Sequence, residues 1–140
     1  METDNTRQNE DGVPLSDTDV VVAASVLAAR KVQLSAWGRE SLNGGIDPEK
    51  YLSVCAAARE ACDEAERAGQ LTWRHVLLEE VYEALSEPDP VSLYRELAQV
   101  AAVAMAWAAD LVDNTPELLA LSESVAADVE AMWGIEDAEA

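Results

Sequence analysis

The chain has 140 residues, 49% of them apolar, and sets 28 acidic side chains against 9 basic ones for a formal net charge of −19. That length fits one domain able to bury a core. A surface this acidic repels nucleic-acid phosphates and argues against direct DNA or RNA binding, while it suits a metal-bound anion or a basic protein partner.

Alanine is abundant, phenylalanine is absent, and the few β-branched residues fall at helical spacing. This composition predicts an all-α fold. Residues 1–15 are polar and acidic and read as a disordered tail. Ser16 or Asp17 can cap a first helix that ends near Trp37 and Gly38. Asn43-Gly44-Gly45 reads as a loop. Asp47-Pro48, a capping residue followed by proline, opens a second helix that Gly69 ends. Its stripe of Tyr51, Leu52, Val54, Cys55, Ala58 and Cys62 is narrow and rich in small residues, which allows a close helix neighbour.

Thr72 caps a third helix whose apolar face is Val76, Leu77, Val81, Ala84 and Leu85, and Pro88 forbids its continuation. Asp89-Pro90 repeats the cap-plus-proline signal. The fourth helix carries no charge from Val100 to Ala109, so it is expected at the centre of the bundle or in a subunit interface. Asn114-Thr115-Pro116 breaks the chain and starts a fifth helix, expected over residues 114–134 with a frayed end after Glu136. The expected organisation is therefore a tail, a helical domain over 16–113, and a C-terminal helix packed on the bundle or at an oligomer interface.

Cys55 and Cys62 lie seven residues apart on one helix, about 10 Å by helix rise. That is too far for a disulfide between them, and both read as small core residues. One histidine and no CxxC pattern leave no zinc site. No signal peptide or apolar run of spanning length is visible, so no membrane association and a cytoplasmic location are expected.

The chemistry concentrates in Thr72–Asp110. Glu79, Glu80 and Glu83 share one region of the third helix, and Glu96 and Gln99 share a face of the fourth. A hairpin at Glu87–Pro90 folds the two helices antiparallel and brings these groups together. Clustered carboxylates repel one another unless a cation joins them. Mg²⁺, hard and oxygen-preferring, is the natural occupant, with Mn²⁺ as an alternative.

With these residues placed, LLEEVYEAL followed after a turn by ELAQV resembles the MazG-like family of all-α nucleoside triphosphate pyrophosphohydrolases. The family hallmark is EExxE on one helix and ExxD on the next. Here these are Glu79, Glu80 and Glu83, then twelve intervening residues, then Glu96 and Gln99. Ala36-Trp37-Gly38, the acidic second helix and Leu71-Thr72-Trp73-Arg74-His75 look like a subgroup common in actinobacteria and their phages. The resemblance spans roughly residues 22–110. Gln99 stands where the family carries Asp. Its carbonyl oxygen can still reach a hard cation, with one negative charge fewer. Asp110 lies three turns further on, about 16 Å by rise, too far to replace it.

The resemblance implies a MazG-like four-helix bundle with an additional C-terminal helix, assembled as a homodimer or homotetramer. It implies Mg²⁺-dependent hydrolysis of a nucleoside triphosphate to the monophosphate and pyrophosphate. Glu80, Glu83, Glu96 and Gln99 would hold the metal, and Glu79 or Glu80 would activate water as general base. Trp37 is a candidate to stack on a base, and Lys31 and Arg74 are candidates to contact phosphate. The alternative is a catalytically degenerate MazG-like module that binds a nucleotide or a basic protein partner. His75, without a serine or cysteine partner, reads as a capping or surface residue.

Overall fold

The computed structural model describes residues 12–138. The chain is all-α: α1 Asp17–Trp37, α2 Pro48–Arg67, α3 Trp73–Leu85, α4 Pro90–Asn114 and α5 Pro116–Ala138. Among the described residues there is no strand. Of the expected tail, Met1–Asp11 lie outside the described residues, and residues 12–16 are non-helical and exposed.

Helix starts follow from local chemistry. Ser16, Asp47, Thr72 and Asp89 each accept a hydrogen bond from a first-turn backbone N–H. Each such cap is worth about 1 kcal/mol. His75 closes the cap of α3: its Nδ1 accepts from the Thr72 N–H at 3.1 Å. Proline occupies the first turn of α2 and α4, where no N–H is missed. Gly38 and Gly69, at φ 69° and 68°, follow the ends of α1 and α2 in the left-handed region, which a side chain would disfavour. The fifth helix extends to Ala138, past the expected end at 134. Alanine and glutamate at its end favour helix, and no proline follows Pro116.

α4 is the spine. It packs against α1, α3 and α5, while α2 packs on α3. Among the described residues α1 touches neither α2 nor α3. The core joins Val22 of α1 to Ala109 and Val112 of α4, flanked by Met105, Ala108 and Leu118. The α2–α3 contact includes small buried residues, Cys55, Cys62 and Ala65 on α2 and Ala84 on α3, beside the stacked rings of Tyr51 and Tyr82. Both cysteines are free.

α4 is central and leaves Val91, Tyr94, Leu97 and Leu111 exposed, with Ala109 and Val112 buried. One expectation needs correction. α1 is long and apolar enough, by length and composition alone, to cross a membrane. Arg30 and Lys31 break the apolar run in the sequence, but the helix as a whole averages apolar. Its start is anchored on α4, where Thr18 Oγ1 donates to Asp113 Oδ1 at 2.9 Å.

Candidate metal centre

Glu80 and Glu83 lie one turn apart on α3, and Glu96 faces them from the first half of α4. One carboxylate oxygen from each falls within 4.8 Å of the others. The antiparallel hairpin produces this convergence. Asp89-Pro90 starts α4 directly after α3 has ended at Leu85, so the last turn of one helix meets the early turns of the next. Three side chains from two rigid helices thus point at one place, with room for a cation between them.

The cluster is electrostatically costly as it stands. Burial holds the Glu80 carboxyl above its ordinary pKa, and Glu83, Glu96 and Glu79 push it in the same direction. Glu96 is raised too, first by burial and then by Glu83. Glu80 Oε2 is sealed from solvent and has no hydrogen-bond partner. A buried polar atom without a partner costs about 1–3 kcal/mol, and a coordinated cation would relieve it.

The other expected metal and catalytic residues stand differently. Glu79 is next to Glu80 in sequence but turns toward α2, where it lies beside Cys62. Cys62 Sγ also approaches the His75 carbonyl at 3.0 Å. Burial, then the Glu79 contact, push the Cys62 thiol up to about 12. Gln99 is exposed, one turn beyond Glu96. Asp110 is fully engaged elsewhere: Trp73 Nε1 donates to its Oδ2 at 2.9 Å, and Asn114 Nδ2 donates to its Oδ1 at 2.9 Å.

The expected substrate contacts come from α1 and from the start of α3. Trp37 is 68% exposed at the end of α1. Lys31 is exposed on the same helix, which makes no contact with α2 or α3. Arg74 sits at the start of α3, about 13 Å of helix rise before Glu83. There it lines an open, largely apolar pocket of roughly 710 Å³ with Leu71, Thr72, Trp73, Val76 and Trp107.

A residue that sequence reasoning passed over stands at the cluster. Arg59 of α2 donates through Nε to Glu83 Oε1 at 2.9 Å, with the two side chains 57% and 20% exposed. Its guanidinium also lowers the Glu96 carboxyl, against the larger upward push of burial and Glu83. One signal was available: Arg59 is the only cation between Lys50 and Arg67 on an otherwise apolar and acidic helix. No family model, curated protein or solved structure matches the chain.

Proposed function

We propose that the protein is an Mg²⁺-dependent pyrophosphohydrolase that converts a nucleoside triphosphate to the monophosphate and pyrophosphate, on a MazG-like bundle. The observation that carries this reading is the convergence of Glu80, Glu83 and Glu96 around an orphaned, buried carboxylate oxygen. It is supported by the EExxE and ExxQ spacing across the hairpin.

In this reading Glu80, Glu83 and Glu96 hold the ion, with Gln99 offering a neutral oxygen nearby. Bound Mg²⁺ supplies charge neutralisation for the triphosphate and for the charge that builds on the attacked phosphorus. A carboxylate accepts the proton of the attacking water. Glu80 is the better placed of the two candidates, because Glu79 turns toward Cys62. The water oxygen bonds to phosphorus, the bridge between the α- and β-phosphates breaks, and pyrophosphate leaves with that bonding pair. A bound metal would offset the repulsion between an acidic chain and a polyanion, which makes the charge of −19 compatible with such a substrate.

The same reading calls for a cytoplasmic, nucleotide-rich location and for a homodimer or homotetramer. A stable interface takes about 800 Å² from each partner, and the exposed apolar residues Val26, Leu27 and Val32 of α1 and Val91, Leu97 and Leu111 of α4 support such a contact.

A panel assay decides the function. The purified protein is incubated with each NTP and dNTP and with Mg²⁺ or Mn²⁺, and monophosphate and pyrophosphate are measured beside Glu83→Gln. Release that requires the metal and is lost in the variant establishes the enzyme. The second reading is a degenerate module that binds a nucleotide or a basic protein. The neutral Gln99 favours it, and a folded protein without release across the panel would select it.

A further inference from the structure

Arg59 lies against the three carboxylates, ion-paired to Glu83. Its ion pair uses Nε alone, a single hydrogen bond to one oxygen of Glu83. More than half of the side chain is open to solvent, so the guanidinium can turn without disturbing the packing of α2. Glu83 is at once the partner of Arg59 and one of the three converging carboxylates. A divalent ion drawn to Glu83 competes with the guanidinium for the same carboxylate and repels it.

We propose that Arg59 is the phosphate-binding arm of the site, released from Glu83 when a divalent ion takes that carboxylate and then paired with the phosphate chain carried on the ion. The proposal rests on the metal reading of the Glu80–Glu83–Glu96 cluster. Guanidinium suits the task because it presents two parallel N–H donors to phosphate oxygens and stays charged at any working pH. The neighbouring cation on α4 does not compete for the role. Arg95 adjoins Glu96 in sequence but lines a separate hollow with Pro90, Val91 and Tyr94 at the start of that helix. Before the metal arrives, Arg59 acts as its substitute, offsetting part of the repulsion among the carboxylates.

Titration calorimetry separates the parts. Wild type, Arg59→Gln, Arg59→Lys and Glu83→Gln are titrated first with Mn²⁺ alone, and then with inorganic pyrophosphate at saturating Mn²⁺. Circular dichroism confirms that each variant is folded. Arg59→Gln is expected to bind Mn²⁺ as tightly as wild type or more tightly, and to bind pyrophosphate at least about tenfold more weakly. Arg59→Lys keeps the charge without the fork and is expected to fall between them. Equal pyrophosphate affinity in wild type and Arg59→Gln, with Mn²⁺ binding intact, overturns the role of Arg59 and leaves the metal site standing. Absence of Mn²⁺ binding in the wild type overturns the metal reading itself, and Arg59 with it.

Discussion

The indole of Trp73 reaches across to Asp110, thirty-seven residues away, and its Nε1 donates to Oδ2 at 2.9 Å. This contact ties the start of α3 to the far half of α4. Its counterpart at the other end is the approach of Glu83 to Glu96. Together they set the register in which the two helices run antiparallel, and the convergence of carboxylates depends on that register.

Replacing Asp110 by alanine removes the acceptor for Trp73 and one for Asn114. The loss is expected to be about 1 kcal/mol, since the bond is exposed to water, and to lower the melting temperature by about 3 °C. Mn²⁺ affinity should stay within about twofold of wild type, because Asp110 lies about four turns, roughly 21 Å, along α4 from Glu96. A large drop in Mn²⁺ affinity without a change in stability would place Asp110 at the metal instead.

The pH dependence of stability carries a defined sign. Glu80 and Glu96 have raised pKa values in the folded chain, chiefly through burial. The folded state therefore holds their protons to higher pH than the unfolded state does. Where the native state binds more protons, stability falls as pH rises. Without metal, the loss begins near the ordinary glutamate value of 4.5 and is complete above the raised values. Glu80→Gln should flatten this part of the profile and raise the melting temperature at neutral pH. Saturating Mg²⁺ should do the same for wild type. Melting curves between pH 4 and pH 8 with and without Mg²⁺ test both, and an unchanged profile in Glu80→Gln counts against the assignment.

Gln99→Asp restores a fourth negative charge one turn from Glu96. It should tighten Mn²⁺ binding several-fold, as added ligand charge does at hard-cation sites. It should also destabilise the metal-free protein by adding to the repulsion. Calorimetry and melting read the two effects separately. If affinity stays the same while stability falls, the position 99 side chain points away from the ion.

Assembly is expected through the apolar faces that the single chain leaves uncovered. Leu27 and Val32 on α1 are 55% and 67% exposed. Leu27→Glu should leave the fold intact, because the side chain is outside the core, and should shift a dimer or tetramer toward monomer. Light scattering after gel filtration measures this. A wild-type monomer at 100 µM, about a hundredfold above a micromolar dissociation constant, would contradict the expectation.

Helix boundaries were legible because caps are local. Ser16, Asp47, Thr72 and Asp89 announce their helices through a side chain and an N–H three residues away, and no distant contact is needed to find them. The pairing of Glu80, Glu83 and Glu96 was legible for a related reason: a short hairpin between two helices leaves few ways to fold. Arg59 was not legible, since its value depends on how α2 lies on α3. That geometry involves the small buried residues Cys55, Cys62 and Ala65 of α2 and Ala84 of α3, and small residues show little in a sequence pattern. Arg74 stands apart from Glu83 for the converse reason. A basic residue attracts attention in a sequence, but its distance along α3 is set by the length of that helix.

The attachment of α2 through α3 alone has a kinetic corollary. Segments of a protein open with free energies that track how much of them is packed. α4 is held by three other helices and is expected to exchange slowly, whereas α2 can detach by breaking one seam with α3, which includes the Tyr51–Tyr82 stack and the Arg59–Glu83 pair. Such an opening carries Arg59 away from the carboxylates and leaves Glu80, Glu83 and Glu96 together on the α3–α4 hairpin. Access to the site is then governed by the breathing of one helix, on a timescale separate from the unfolding of the whole chain.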